Sequence, residues 1–137
     1  MSESITFSVS HPPACLSPNS RAHWGTKNAA KQAYATEVWA SGVGIKGIKR
    51  HRLRDTPELQ MPWEQAAVHL TWYSTHQKDV DNIIAHCKGL IDCLSTKGTR
   101  PLGIFIDDKN ITVTAEWAKV SKKAEQRVEV TVTRRNP

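Results

Sequence analysis

Apolar and polar positions alternate near the start of the chain, with Ile5, Phe7 and Val9 set against Thr6, Ser8 and Ser10. A period of two sends successive side chains to opposite faces, so "ITFSVS" (5–10) predicts a strand. "HPPACLSPNSR" (11–21), with three prolines, predicts a loop. Residues 22–41 are alanine-rich with few breakers and predict a helix ending before "GVG" at 42–44. Residues 42–63 hold three glycines, two prolines and a basic run, which predicts a long loop. "AAVHLTWYST" (66–75) alternates Val68, Leu70 and Trp72 against His69, Thr71 and Tyr73, a second strand. In "DNIIAHCKGLIDCLS" (81–95), Ile83, Ile84, Cys87, Leu90, Ile91 and Leu94 recur at helical spacing. "IFI" then leads through "DDKN" into the strand-like "ITVTAEWAKV" (111–120), and a short polar turn leads to "QRVEVTVTR" (126–134). The order β-α-β-α-β-β predicts an α+β fold, a mixed sheet with helices packed on one face, in one small domain over residues 1–137.

Composition narrows the class. The chain is 39% hydrophobic and 23% charged, as in globular proteins. Its apolar runs are too short to span a bilayer, and "MSESITFSVS" lacks the layout of a signal peptide, so a cytoplasmic location is expected. Cys15, Cys87 and Cys93 are odd in number and form no C-x-x-C pair, which predicts plain buried or half-buried thiols, with no disulfide and no zinc site.

Lysine and arginine number 19 against 13 acids, a net charge of +6. Eleven of these cations fall in "IKGIKRHRLR" (Lys46, Lys49, Arg50, Arg52, Arg54) and in the last segment (Lys119, Lys122, Lys123, Arg127, Arg134, Arg135). Five acids stand apart from them: Asp79, Asp81, Asp92, Asp107 and Asp108. A basic protein with one acidic cluster fits a polyanion held outside and a cation held inside. The blander alternative is a soluble domain with solvated basic loops.

The stretch "KDVDN" (78–82) carries the sharpest chemistry. In extended backbone, Asp79 and Asp81 point to one side, roughly 6–7 Å apart. A helix N-cap at Asp81 would account for one carboxylate and leave Asp79 unexplained. At about 100° per residue, Asp81, Lys88 and Asp92 lie within about 40° of one another on the helix. A surface ion pair is the alternative role for Lys88 and Asp92. Asp107 and Asp108 could support a turn, or meet Asp79 and Asp81 if their strand ends beside the second one. Converging carboxylates need a cation, and hard oxygen ligands suit Mg²⁺ or Mn²⁺. Such an ion activates water and polarises a phosphate oxygen, while a lysine offsets developing charge. The combination fits a phosphodiesterase acting on nucleic acid.

The set "DVDNIIAHCKGLIDCL…IDD" resembles the RusA-type Holliday junction resolvases, small endonucleases common in phages and prophages. That family shows Asp-x-Asp-Asn, a lysine on the following helix, an aspartate four residues later, and then Asp-Asp. "LSPNSRAHW" (16–24) is similar to its N-terminal stretch, and the likeness runs from about Ile5 to Thr133. It implies a homodimeric, Mg²⁺-dependent enzyme that cuts four-way DNA junctions by paired nicks, in recombination and repair. It implies metal ligands at Asp79, Asp81 and Asp108, with Asp107 the alternative to Asp108, and a catalytic lysine at Lys88. Asp92 and Asn82 would support them. Lys88 stands seven residues beyond Asp81, where some members have four, and the segment from Ser95 to Ile106 is longer than in compact members.

Asn19, Arg21 and His23 match the family's N-terminal loop and are expected either to touch DNA or to serve only the loop's structure. Lys46, Lys49, Arg50, Arg52 and Arg54 are the best candidates for phosphate contact. Most of the five tryptophans are expected in the core, with Trp63 as a stacking platform for an unpaired base. Two other functions fit the same sequence: a catalytically idle junction-binding protein, and a nuclease for other branched DNA or RNA.

Overall fold

The computed structural model describes residues 4–17, 20–43, 62–96, 102–106 and 108–135, with Asp108 placed by its backbone alone. Lys46, Lys49, Arg50, Arg52 and Arg54 lie outside the described residues, as do Asn19 and Asp107. The elements are β1 (Ser4–Val9), α1 (Trp24–Val43), β2 (Ala66–Ser74), α2 (Val80–His86), α3 (Lys88–Leu94), β3 (Ile111–Lys119) and β4 (Arg127–Arg134). The four strands form one sheet in the order β1-β4-β2-β3. Among the described strands, β2 and β3 run parallel and the other pairs antiparallel, so the sheet is mixed, as expected. A parallel pair needs a crossover, and α2 and α3 supply it.

The alternation read from the sequence becomes rows across this sheet. The register aligns Ile5, Val132, Val68 and Val113; then Phe7, Val130, Leu70 and Ala115; then Val9, Val128, Trp72 and Trp117. These rows face the helices and form the core with Val38, Ile83, Leu90 and Leu94. Burying each large aliphatic side chain contributes about 1.5–3 kcal/mol. The opposite face is polar: Thr6 bonds Thr131, and His69 bonds both Thr114 and Glu116. The fold is thus α+β, with its helices on one face.

Helix α1 extends beyond its expected end, through Gly42. A Cβ at Gly42 would stand 2.5 Å from Leu102 Cδ1, so a glycine lets the last turn approach the segment that follows α3. The expected single helix at 81–95 is interrupted at Cys87, whose ψ of 10° departs from helical geometry. Its path continues, because Cys87 N–H reaches Ile83 O at 3.0 Å and Ile91 N–H reaches Cys87 O at 3.0 Å. Beyond Leu94 the chain turns beside Trp63: Ile104 N–H bonds Leu94 O, and Trp63 N–H bonds Ile104 O. Gly103 takes φ 72°, a left-handed conformation that glycine adopts without a Cβ penalty. Among the described residues, no helix is long and apolar enough to cross a membrane.

Candidate functional site at the C-terminal end of β2

Asp79 sits at the N-cap position of α2 in extended backbone (φ −67°, ψ 145°). Its carbonyl accepts from Ile83 N–H at 2.9 Å, while its side chain makes no capping bond. Asp81 lies inside the first helical turn. The two are therefore not an extended pair, and Asp81 is not the cap. Both are exposed, and among the described residues neither carboxylate has a hydrogen-bond or ion-pair partner. Carboxylates beside a helix N-terminus are favoured by the macrodipole, which partly offsets their mutual repulsion. Asn82 and Lys88 are also exposed, and Asp92 is half-buried. No ion pair joins Lys88 to Asp92, so the surface-pair alternative for these two is not what the structure contains.

The strand ends bring cations to the same end of the sheet. The link from β3 to β4 crosses over the end of β2, where Val120 N–H bonds Ser74 O at 3.1 Å. Gln126 Oε1 accepts from Thr75 N–H at 3.2 Å on the same crossing. Lys119, Lys122 and Lys123 are exposed on this crossing, and the Arg127 guanidinium lies 3.9 Å over the Tyr73 ring. The loop after β1 arrives from the other side, with His11 Nε2–H donating to Tyr73 O at 2.9 Å. Tyr34 O–H donates to Ser10 O at 2.8 Å, which fixes α1 at the level where β1 ends. The ten residues before Tyr34 lead away from this contact along α1, roughly 15 Å at helical rise. They carry Lys27 and the exposed Trp24 and Lys31.

A compact group of His11, Trp72, Lys78 and His86 borders the carboxylates. His11 stacks on Trp72 with ring centroids 4.0 Å apart, and His86 tilts against the same indole at 5.4 Å. Lys78 Nζ lies 4.6 Å from the Trp72 ring centroid and 3.1 Å from His86 Nδ1. An ammonium can only donate, so Nδ1 accepts and Nε2 carries the proton that bonds Pro13 O at 2.9 Å. Burial holds both imidazoles below their ordinary pKa, and the Lys78 charge adds to this at each. This group was not legible in the sequence, because its members lie at 11, 72, 78 and 86 and meet only through the fold.

Asp108 lies elsewhere. It begins a 3-10 turn running directly into β3, and Ile111 of β3 pairs with Ala66, the first residue of β2. Asp79 follows the last residue of β2. The strand after Asp108 begins beside β2 instead of ending there, so the length of β2, roughly 26 Å at strand rise, separates the two sites. Among the described residues, no three His, Cys, Asp or Glu side chains stand together as a metal group.

Other expectations fare unevenly. Trp63 is 1% exposed and packs in the core, so it cannot stack on a base. Trp24 is 76% exposed at the start of α1, outside the core expected for most of the tryptophans. Trp72 is buried, and Trp39 and Trp117 are half-buried against the core. His23 Nδ1 accepts from Gly25 N–H at 3.0 Å and so has the structural role of capping α1. Arg21 is exposed. Cys87 is buried and its thiol is pushed up to about 12; burial also raises Cys93, as inert thiols require. The chain matches no protein-family model and no curated protein.

Proposed function

We propose that the protein is a divalent-metal-dependent DNA endonuclease for four-way and related branched junctions, acting as a two-fold homodimer. This is the activity implied by the likeness to RusA-type resolvases. The observation that carries it is that two exposed carboxylates, without partners among the described residues, lie at the same sheet end as cations from separate segments. Carboxylates left unpaired beside a basic surface suit a hard cation and a phosphate, whereas a purely binding surface gains nothing from them.

Asp79 and Asp81 fit the oxygen-donor set of Mg²⁺ or Mn²⁺. When bound, such an ion supplies a polarised phosphate oxygen and a more acidic water. The chain's own residues do the rest. Lys78, Lys119, Lys122 and Lys123 hold the phosphate backbone, and Lys88 offsets charge on the reacting group. The third carboxylate is proposed at Asp108, whose backbone lies at the other end of β2 in the same chain, or at Asp107. A partner copy that brings its β3 entrance to this site would supply it. Two such sites on one dimer also match a reaction of two symmetric nicks.

The test is incubation with synthetic four-way junctions, flaps and linear duplex, with and without Mg²⁺. Mg²⁺-dependent cutting of junctions in preference to duplex is expected. Tight junction binding with no cutting in Mg²⁺ or Mn²⁺ would establish the idle binder instead.

A further inference from the structure

Lys78 is the least ordinary cation at this end of the sheet. Its side chain is half-buried, and among the described residues it forms no ion pair. Its two partners, the Trp72 face and the Nδ1 lone pair of His86, are both uncharged. A lysine on an open surface explores many rotamers, and ordering it costs up to about 2 kcal/mol. Here that cost is met within the fold. The indole is itself held by the stacked His11, and His86 is anchored by Pro13 O. The result is an ammonium fixed in position, not neutralised, beside Asp79.

We infer that this clamp makes Lys78 a preorganised anion-binding group for a nucleic-acid phosphate, with His86 and Trp72 as the residues that position it. The inference rests on the nucleic-acid reading above, and it adds what orders the cation. His86 acts through Lys78 and need not touch the ligand. Of the three ammonium protons, one is committed to His86 Nδ1, which leaves two for phosphate oxygens. A fixed donor loses less entropy on binding than a free one, so the clamp raises affinity without adding a contact.

The two bonds of His86 can be separated by substitution. His86→Gln keeps a donor for Pro13 O and moves the acceptor away from the Nδ1 position that Lys78 uses. His86→Asn keeps an acceptor at the Nδ1 position and drops the bond to Pro13. The probe is a fluorescently labelled oligothymidylate without divalent metal, with affinity read from anisotropy across a salt series and folding checked by circular dichroism. Lys78→Gln should weaken binding and reduce the salt slope by about 0.7, the value for one lost single-strand phosphate contact. His86→Gln should weaken binding up to about tenfold with the slope unchanged, since the charge remains but is no longer ordered. His86→Asn should bind close to wild type. Equal affinity for His86→Gln and wild type would overturn the clamp, as would an unchanged salt slope in Lys78→Gln or no binding by the wild-type chain. Cleavage is scored separately. A wild-type chain that cuts no junction yet shows this pattern keeps the clamp and loses the nuclease reading, and the reverse outcome does the opposite.

Discussion

Ala66, the first residue of β2, sits opposite Ile111, the first residue of β3, in a parallel register that continues to Ser74 and Lys119. That pairing decides where the carboxylates lie. Asp79 follows the far end of β2, while Asp108 precedes the near end of β3. The crossover helices agree: from Val80 to Leu94 they run back toward Trp63, about 21 Å at helical rise. Asp79 and Asp108, which look like members of one cluster in the sequence, have their backbones at opposite ends of one sheet.

Lys88 is exposed at the start of α3 and bonds to nothing among the described residues. Lys88→Ala should therefore leave the melting temperature nearly unchanged. Under the nuclease reading it should slow junction cleavage by roughly 10²–10³, the usual loss for one stabilising charge in the transition state. Single-turnover rates beside a thermal melt check both. A lowered melting temperature with an unchanged rate would assign Lys88 to the fold instead.

The imidazoles of His11 and His86 give the fold a pH dependence. Both have folded pKa values lowered, chiefly by burial, from an ordinary 6.5. The unfolded chain then binds more protons than the folded one once pH falls below about 6.5, so stability falls with pH there. The contribution is complete above that value and is lost as pH drops toward the folded pKa values. Denaturant midpoints should decline between about pH 6.5 and pH 5, and a His11→Asn, His86→Asn double variant should show a flatter profile.

Trp63 carries its energy in the core. It is 1% exposed, and its backbone bonds Ile104 and Ile106. Trp63→Ala should cost about 3–5 kcal/mol by chemical denaturation, through lost burial and an unfilled cavity. Trp24→Ala, at the exposed start of α1, should fall within about 0.5 kcal/mol of wild type. If nucleic acid binding also depends on an aromatic platform here, Trp24 is the residue to lose it.

Local pattern was the legible part of this molecule. Ile5, Phe7 and Val9, or Val128, Val130 and Val132, announce a buried strand face because the period of two is set by the backbone. Ile83, Cys87, Leu90 and Leu94 announce a helix stripe for the same reason. Long-range pairing was not legible. The alternation of Ile111, Val113, Ala115 and Trp117 does not say that their strand runs parallel to β2, and that direction places Asp108. Asp79-Val80-Asp81 suits either a strand end or a helix start, because Asp is favoured at both kinds of boundary. Gly42 reads as a helix end, yet it is helical because only its packing on Leu102 requires a missing Cβ. Trp24 and Trp63 look alike by composition, and tertiary packing alone separates the exposed ring from the buried one.

The separation of Asp81 from Asp108 makes the central claim testable by mixing two inactive proteins. Under the nuclease reading, Asp81→Asn should abolish cleavage while junction binding persists, because a proposed metal ligand is lost and the phosphate grip remains. An Asp107→Asn, Asp108→Asn double variant should do the same. In a mixed dimer whose sites are built from both subunits, one site receives both lesions and the other receives none. Co-refolding the two variants should therefore restore Mg²⁺-dependent nicking of a four-way junction, limited to one strand per encounter. A mixture as inactive as its components, in the presence of a fully active wild-type dimer, would contradict a site assembled from two chains.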